Sequence, residues 1–291
     1  MAAELLQFLF SGLTVGAMYA LAALGYALIY NASHIVNFAQ GEFIMLGAMV
    51  AAALSASGVD LPMAVFGAVF VTIVAGVAMQ RLAIRPASGA PLITLLIITL
   101  GVALVIRGAV QVLLGKGNRG LPAFSGDQPL QILGATLSTQ SLWVLAVTVL
   151  VVLALAWYFS RTLPGKAMLA TSHNRLAADL VGVNTERVML ISFALSGALG
   201  AIGGVLTAPI TFTSYDAGIV LGLKGFAAAA LGGLGSGPGA IVGGLSLGIM
   251  EALTAGYLSS AYKDAVAYVL ILLVFMYMPR GLFGTKMADR V

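Results

Sequence analysis

Residues 5–30, LLQFLFSGLTVGAMYALAALGYALIY, run for 26 positions without a charged side chain. At a rise of about 1.5 Å per residue, a helix of this length crosses the roughly 30 Å hydrocarbon layer of a bilayer with room for tilt. No basic segment precedes the stretch, so it is not typical of a cleavable signal peptide. It therefore predicts a first transmembrane helix.

The rest of the chain has the same apolar character. Of its 291 residues, 60% are hydrophobic and only 8% are charged, and the mean hydropathy is +1.06. A soluble domain carries about 25% charged residues, which it needs to cover its surface. The composition excludes a soluble globular protein, a disordered chain and a coiled coil. It predicts an all-α, polytopic membrane helix bundle that forms a single transmembrane domain over residues 1–291.

Eight further apolar stretches predict the remaining spans, which gives nine within a range of eight to ten. Two of the stretches contain a charge and several glycines, residues 39–57 and 217–234, and we interpret both as broken helices. The full set after the first span is residues 39–57, 61–79, 92–114, 141–160, 188–208, 217–234, 240–258 and 265–278.

The loop charges predict an orientation. With the N-terminus outside, nine Lys and Arg fall in inside loops and four in outside loops, and the positive-inside rule favours this arrangement. The inside set is Arg81, Arg85, Arg161, Lys166, Arg175, Arg187, Arg280, Lys286 and Arg290, and the outside set is Lys116, Arg119, Lys224 and Lys263. The net charge of +4 fits this bias better than it fits nucleic-acid binding.

The chain carries few of the residues that enzymes need. It has no cysteine and two histidines, His34 and His173, so thiolate chemistry and a histidine-rich metal centre are excluded. Gly115-Lys116-Gly117 lacks the glycine spacing and the hydroxyl residue of a phosphate-binding P-loop. We therefore predict a protein that is not an enzyme and that has no metal site and no cofactor.

Polar residues cluster in residues 30–43, YNASHIVNFAQGEF, where two predicted spans are joined by very little loop. Polar groups are costly in lipid, so Asn37, Gln40 and Glu42, with Gly41 between them, should face protein or water. In one interpretation they line a translocation path or a helix break. In the other, Asn37 caps a helix whose positive N-terminus favours Glu42. The two interpretations are compatible.

Glycine spacing and a short internal sequence similarity suggest how the helices are arranged. The pairs Gly12/Gly16, Gly200/Gly204, Gly239/Gly243 and Gly244/Gly248 are typical of close helix contacts in lipid. The stretch Leu223-Lys224-Gly225-Phe226 echoes Gln40-Gly41-Glu42-Phe43, and the two spans run in opposite senses, which suggests an inverted repeat. Arg107 and Glu251, the remaining charges inside spans, are expected either to pair within the bundle or to lie near a headgroup layer.

The long inside loop, about residues 161–187, contains an amphipathic pattern. Leu169, Leu176, Leu180 and Val183 fall at i, i+7, i+11 and i+14, which predicts one short helix with an apolar stripe and with Gly182 as its stop. Polar residues surround the stripe, among them His173, Asn174, Arg175 and Asp179. The helix is expected either to dock on a cytoplasmic partner or to lie in the headgroup layer.

Five stretches resemble the permeases of branched-chain amino acid ABC importers, specifically the LivH-type subunit. They are residues 11–21 (SGLTVGAMYAL), 37–48 (NFAQGEFIMLGA), 174–184 (NRLAADLVGVN), 193–204 (FALSGALGAIGG) and 279–284 (PRGLFG). At Gln40 the family commonly has His. The resemblance covers nearly the whole chain.

The resemblance implies a permease domain in the inner membrane of a bacterium. With the orientation that the loop charges predict, its N-terminus is periplasmic and its C-terminus is cytoplasmic. The resemblance implies a second, related permease, two cytoplasmic ATPase subunits and a periplasmic substrate-binding protein as partners. It also implies that residues 161–187 couple to the ATPases. The alternative is an ion-coupled secondary transporter of small polar solutes, which would need a relay of ionisable residues inside the membrane. Glu42, Arg107 and Glu251 are few for such a relay.

Overall fold

The computed structural model describes residues 2–126, 129–278 and 280–284. Within these residues the chain is almost entirely helical, and six helices are long and apolar enough to cross a membrane, with two shorter apolar helices beside them. The helices are α1 Ala2–Ser33, α2 Gln40–Ala56, α3 Leu61–Met79, α4 Leu92–Leu114, α5 Thr139–Arg161, α6 Leu163–His173, α7 Arg175–Leu180, α8 Thr185–Thr211, α9 Ala217–Gly232, α10 Gly237–Tyr257 and α11 Lys263–Tyr277. The polytopic all-α bundle is confirmed.

Each of the nine predicted spans coincides with one of these helices, with ends that differ by a few residues. Local sequence explains several of the ends. Pro62 and Pro238 lie in the first turns of α3 and α10, where the missing N–H is not needed. The side chains of Ser138 and Asn184 accept backbone N–H groups at the starts of α5 and α8. Pro279, Lys286 and Arg290, used in the sequence analysis, lie outside the described residues.

Glycine lines the closest helix contacts. Gly12 and Gly16 on α1 face Ile249 and Leu245 on α10, and a Cβ atom at either glycine would lie within 2.8 Å of a backbone Cα atom. Gly244 and Gly248 on α10 meet α1 from the other side, so two glycine pairs form one seam. The Gly200/Gly204 pair packs on α2, and the Gly239/Gly243 pair packs on α9. The predicted role of these pairs at helix contacts is confirmed.

The helices form two halves of opposite direction, α1–α4 and α8–α11. Ser196 on α8 lies beside Gly25 on α1, and Thr207 on α8 lies beside Met18 on α1. Residue numbers therefore rise along α8 as they fall along α1, so the two helices are antiparallel. The packing is symmetric between the halves. Helix α1 packs on α9 and α10, and its counterpart α8 packs on α2 and α3. The contacts therefore have the arrangement of an inverted repeat.

Helices α2 and α9, which the sequence analysis interpreted as broken, are each continuous. Both are short and begin inside the bundle, and we call them half-helices. Gln40, the first residue of α2, contacts Gly25, which lies about 12 Å before the end of α1 at the helical rise. Gly218 in the first turn of α9 meets Gly41 in the first turn of α2. The equivalent positions of the repeat are thus Gly41 and Gly218. The register suggested by Gly225 is wrong, because Gly225 lies two turns further along α9, against Ala22.

A short hairpin closes the end of the bundle where α1 begins, which we call the N-terminal end. Strands β1 Leu130–Ile132 and β2 Ala135–Leu137 are antiparallel, and both turn residues, Leu133 and Gly134, have positive φ. Gln7 on α1 exchanges two hydrogen bonds with the backbone of Thr136, at 2.9 and 2.6 Å. The hairpin thereby fixes the loop between α4 and α5 to the start of α1.

The predicted single helix at the opposite end of the bundle is wrong in one respect. Asn174 is extended, with φ −159° and ψ 105°, and it divides the segment into α6 and α7. Its side chain accepts the N–H of Ala177 and so caps α7. Gly182 ends α7 as predicted. Its φ is +91°, and the N–H groups of Gly182 and Val183 return to Asp179 and Ala178, which is a Schellman motif.

Candidate functional site

The two half-helices meet at a contact that only glycine permits. A Cβ atom on Gly41 would lie 2.7 Å from the Cα of Gly222, and one on Gly218 would lie 2.9 Å from the carbonyl oxygen of Gly41. Real Cβ contacts are not that short, so a larger residue would separate the helices. The N-termini of α2 and α9 consequently lie side by side in the interior of the bundle.

Gln40 connects three helices at this junction. Its Nε2 donates to the carbonyl oxygen of Ser196 at 3.2 Å, and its Oε1 contacts the hydroxyl of Ser196. That hydroxyl also lies 3.0 Å from the carbonyl oxygen of Gly25. Gln40 and Ser196 are fully buried. The Gln40 amide thus satisfies the carbonyl of Ser196 on α8, and the Ser196 hydroxyl continues the contact to a carbonyl of α1, in a buried setting.

Asn37 closes the turn that leads into α2. Its Oδ1 accepts the N–H of Ala39 at 3.0 Å, and the side chain is fully buried. Helix α2 begins at Gln40, with Ala39 before it and no side-chain cap. The interpretation of Asn37 as the helix cap is therefore wrong, because Asn37 lies two residues before Ala39. The expected helix break is present, since residues 34–39 between α1 and α2 are not helical.

Glu42 lies at the start of both half-helices. One carboxylate oxygen accepts a hydrogen bond from Arg107 on α4. The other lies beside Gly218 in the first turn of α9. The carboxylate is 2% exposed, so the partial positive charges of the two helix N-termini act on it with little screening. Of the two expectations for Arg107, pairing within the bundle is confirmed.

A cavity of about 540 Å³ opens at the N-terminal end of the bundle between α1, α8, α9 and α10. Apolar side chains form most of its walls, among them Val15, Met18, Val220 and Leu221. Among the polar residues that line it, Asn118 and Lys263 are exposed and Thr213 is buried.

The floor of this cavity is a cluster of charged groups. The Lys224 ammonium lies 3.0 Å from Oε1 of Glu251, and the Tyr19 hydroxyl donates to Oε2 of Glu251 at 2.7 Å. A second carboxylate, on Asp264 of α11, lies 2.6 Å from the same ammonium. Lys224, Glu251 and Tyr19 are each about 5% exposed. The Asp264 side chain is half exposed, so one buried ammonium pairs with a buried carboxylate and with a carboxylate at the surface.

The sequence analysis located this cluster only in part. Counting Lys224 as an outside-loop charge is wrong, because Lys224 is buried in the middle of α9. Glu251 pairs within the bundle, which is one of its two expected positions. The available signal was the presence of opposite charges in two neighbouring apolar spans, since each demands a partner in lipid.

The segment formed by α6 and α7 leaves its leucines exposed. Leu176 and Leu180 are 72% and 80% exposed, and Leu169 is 42% exposed. The faces that pack on the bundle instead carry Met168 and Ala178. His173, Asn174, Arg175 and Asp179 are also at the surface. The predicted apolar stripe therefore points away from the rest of the molecule, apart from Val183, which packs on the core.

The family described as "Branched-chain amino acid transport system / permease component" matches residues 8–275. The chain belongs to this family. It is therefore a permease component with a LivH-type sequence, and the transporter class favoured by the resemblance is confirmed over an ion-coupled secondary transporter.

Two curated relatives cover the permease almost from end to end. The chain is 36% identical to the high-affinity branched-chain amino acid transport system permease protein LivH of Escherichia coli K12, over 98% of this chain and 97% of the relative. It is 33% identical to the corresponding protein BraD of Pseudomonas aeruginosa, over 98% of each chain. Both names describe permeases, which agrees with a transporter subunit that is not an enzyme.

A solved structure shares the fold of the permease. PsaBC from Streptococcus pneumoniae, determined in complex with Fab, superposes with a TM-score of 0.55 at 14% identity and covers 97% of this chain and 98% of that one. At this identity the likeness concerns the fold.

Proposed function

We propose that this permease carries amino acids with branched apolar side chains across the inner membrane of a bacterium. It works beside a second, related permease, receives cargo from a periplasmic binding protein and draws energy from two cytoplasmic ATPase subunits. The family and the names of its relatives support the cargo class. The single observation that carries the coupling is the pair of exposed leucines on α7.

The proposed orientation places the N-terminal end of the bundle in the periplasm and α6–α7 in the cytoplasm. With Lys224 removed from the outside set, three basic residues remain there, Lys116, Arg119 and Lys263. The asymmetry of loop charges is then larger than the sequence analysis expected, which supports this orientation.

The native chain has no cysteine, so orientation is tested with single cysteines in intact cells. Gln131→Cys lies in the hairpin, and Asp179→Cys lies on α7, and both positions are exposed. A membrane-impermeant maleimide should label Gln131→Cys in intact cells and label Asp179→Cys only after the cells are broken. The opposite pattern would refute the proposed orientation.

We place the ATPase contact on α6 and α7. The residues concerned are Leu169, His173, Asn174, Arg175, Leu176, Asp179, Leu180 and Gly182. Two exposed leucines one turn apart are suited to a groove on a partner, because burial of each is worth about 1.5–3 kcal/mol. The rigid end of α7 at Gly182 would then pass the movement of the partner to α8.

The docking proposal predicts that Leu176→Asp and Leu180→Asp abolish both ATPase association and uptake, while membrane insertion is unchanged. Co-purification with the ATPases and uptake of labelled leucine into proteoliposomes measure the two effects. Leu133→Asp is the matched control, since Leu133 is 86% exposed at the other end of the bundle. Normal ATPase binding by both α7 variants would remove this segment as the contact.

We also propose that Asn37, Gln40, Gly41 and Glu42 shape the translocation path. Their position at the meeting point of two half-helices supports this role, because irregular backbone inside a membrane occurs where it lines a path or is enclosed by protein. In the described conformation these side chains are buried. The path beside them would therefore open when the halves of the bundle move.

A reconstituted complex decides between energy sources. Leucine uptake into liposomes that contain both permeases, the ATPases and the binding protein should require ATP on the side of the membrane that the ATPases face. It should be insensitive to ionophores. Uptake by the purified chain alone, driven by an ion gradient, would instead show a secondary transporter.

A further inference from the structure

We propose that the cavity above Lys224 is an amino-acid binding site within this single subunit, which holds the cargo as a zwitterion during transit. This inference rests on the proposed function and names a site for its substrate. The site consists of the charged floor formed by Tyr19, Lys224 and Glu251 and of the apolar walls above it. Asp264, whose side chain is half exposed, pairs with Lys224 from beside the cavity.

The floor offers both charges that a zwitterion needs. The Lys224 ammonium can receive a carboxylate, since it carries three N–H donors, and the Tyr19 hydroxyl beside it adds another. The carboxylates of Glu251 and Asp264 can receive an ammonium. A buried ion pair gains little net stability because desolvation offsets the attraction between its charges. A ligand that carries both charges can therefore replace the contact between Lys224 and Glu251 with little net change in free energy.

The walls and the volume select the side chain. A cavity of about 540 Å³ lies within the range of about 300–1,000 Å³ that is usual for small-molecule sites, and it holds an amino acid together with water. Val15, Met18, Val220 and Leu221 present apolar surface to whatever extends from the floor. An additional charge on the cargo would meet these walls without a partner, which is unfavourable.

The mouth of the cavity faces the end of the bundle that we assign to the periplasm. The exposed residues Asn118 and Lys263 line the cavity at this end. Cargo released from the binding protein would thus enter this cavity before it reaches the junction of α2 and α9, since Ala217 at the start of α9 lies in the cavity wall. The cluster contains one ammonium, on Lys224, and two carboxylates, on Glu251 and Asp264. Lys263, which also lines the cavity, adds a second positive charge, so the positive and negative charges are equal in number.

The test measures binding of radiolabelled L-leucine to the purified full-length chain in detergent, without the other subunits. We expect saturable binding, displaced by isoleucine and valine at similar concentrations and by lysine or glutamate only at concentrations at least about tenfold higher. The double variant Lys224→Met with Glu251→Gln removes the two buried charges together, and the Asp264 carboxylate that remains is half exposed to solvent, so no charge is left buried without a partner. It should weaken leucine binding at least about tenfold.

Two further variants keep the proposal falsifiable if the double variant does not fold. Ala255→Leu fills the cavity from its wall and should also weaken leucine binding, without any change of charge. The matched control Lys116→Met with Asp60→Asn removes the same kinds of charge from exposed positions and should bind leucine normally. Absence of saturable binding, or unchanged binding in a folded cavity variant, overturns the site.

Uptake assays separate this inference from the proposed function. ATP-dependent leucine uptake by the complete complex, without leucine binding to the permease, would refute the site and leave the proposed function standing. Binding to the permease without ATP-dependent uptake by the complex would refute the proposed function instead.

Discussion

Gly25 and Gln40 form the tightest contact between a helix backbone and a polar side chain at the junction. A Cβ atom on Gly25 would lie 2.6 Å from Cδ of Gln40, so Gly25→Ala forces the amide away from Ser196. We expect a loss of about 1–3 kcal/mol of stability, which is the usual effect of overpacking a core. Thermal unfolding in detergent measures it.

The matched control for Gly25→Ala is Gly101→Ala on α4. Nothing lies within 4 Å of a Cβ atom at Gly101. That variant should be neutral or more stable by about 0.5–1 kcal/mol, because alanine favours the helix over glycine. Equal effects of the two substitutions would show that the Gln40 contact does not limit stability.

Glu42 and Arg107 allow the stability of the junction to be separated from transport. Glu42→Gln leaves the Arg107 guanidinium, which is 22% exposed, without its partner, and should lower stability by about 3–5 kcal/mol. The double variant Glu42→Gln with Arg107→Met removes both charges and should recover most of the loss. Thermal unfolding checks this, and a destabilised double variant would contradict it.

Uptake by the same double variant tests the path. If the carboxylate of Glu42 lies along the path, the variant is stable but transports poorly. Normal uptake would confine Glu42 to a structural role.

Sequence alone predicted that Glu42 faces protein or water, because polar groups are costly in lipid. It did not predict the partner. Arg107 is 65 positions away, and its reach into the junction depends on how α4 packs on α2. The same applies to Lys224, whose two carboxylate partners come from two other helices. Pairs of this kind depend on how the helices pack, and a single sequence does not show directly which helices pack together.

At the scale of elements, the cap at Asn174 makes α7 a separate unit. The side-chain bond from Asn174 to the N–H of Ala177 stabilises the first turn of α7. Asn174→Ala should cost about 1 kcal/mol, so amide hydrogen exchange in α7 should become about fivefold faster. Exchange in α6 should be unchanged.

Thr162→Ala is the reciprocal variant, because the hydroxyl of Thr162 accepts the N–H of Gly165 at the start of α6. It should accelerate exchange in α6 and leave α7 as it is. Equal acceleration of both helices by either variant would mean that they open together as one unit.

The spans were predictable and the division between α6 and α7 was not, for a physical reason. A transmembrane helix is set by the length and apolarity of its own residues, so composition is sufficient. The break at Asn174 arises from one residue that prefers to cap a new helix, and the leucine spacing continues across it. The spacing of apolar residues is a property of a whole segment, so it does not detect one extended residue within it.

At the scale of the whole molecule, the two halves complete each other. Helix α1 packs chiefly on α10, and α8 packs on α2 and α3, so the glycine-lined faces of each half are covered by the other. The echo in the sequence suggested such a repeat, but its register depended on the contact between Gly41 and Gly218.

This interlocking predicts that a chain cut in the turn between Leu133 and Gly134 still assembles. Fragments 1–133 and 134–291, expressed together, should co-purify from membranes through a tag on one of them, because the contacts between the halves remain intact. Each fragment expressed alone should be degraded. A cut inside α2, between Gly47 and Ala48, is the control and should abolish assembly. Stable accumulation of either fragment alone would contradict the prediction.

The short half-helices have a consequence for biosynthesis. Helix α2 has 17 residues and carries Glu42, and α9 has 16 residues and carries Lys224. During synthesis each leaves the ribosome before the helix that neutralises it, α4 for Glu42 and α10 for Lys224. Neither is suited to lipid on its own at that moment. Helices α2 and α9 should therefore remain at the translocon until α4 and α10, respectively, have been synthesised. The helices then enter the lipid in groups and not one at a time.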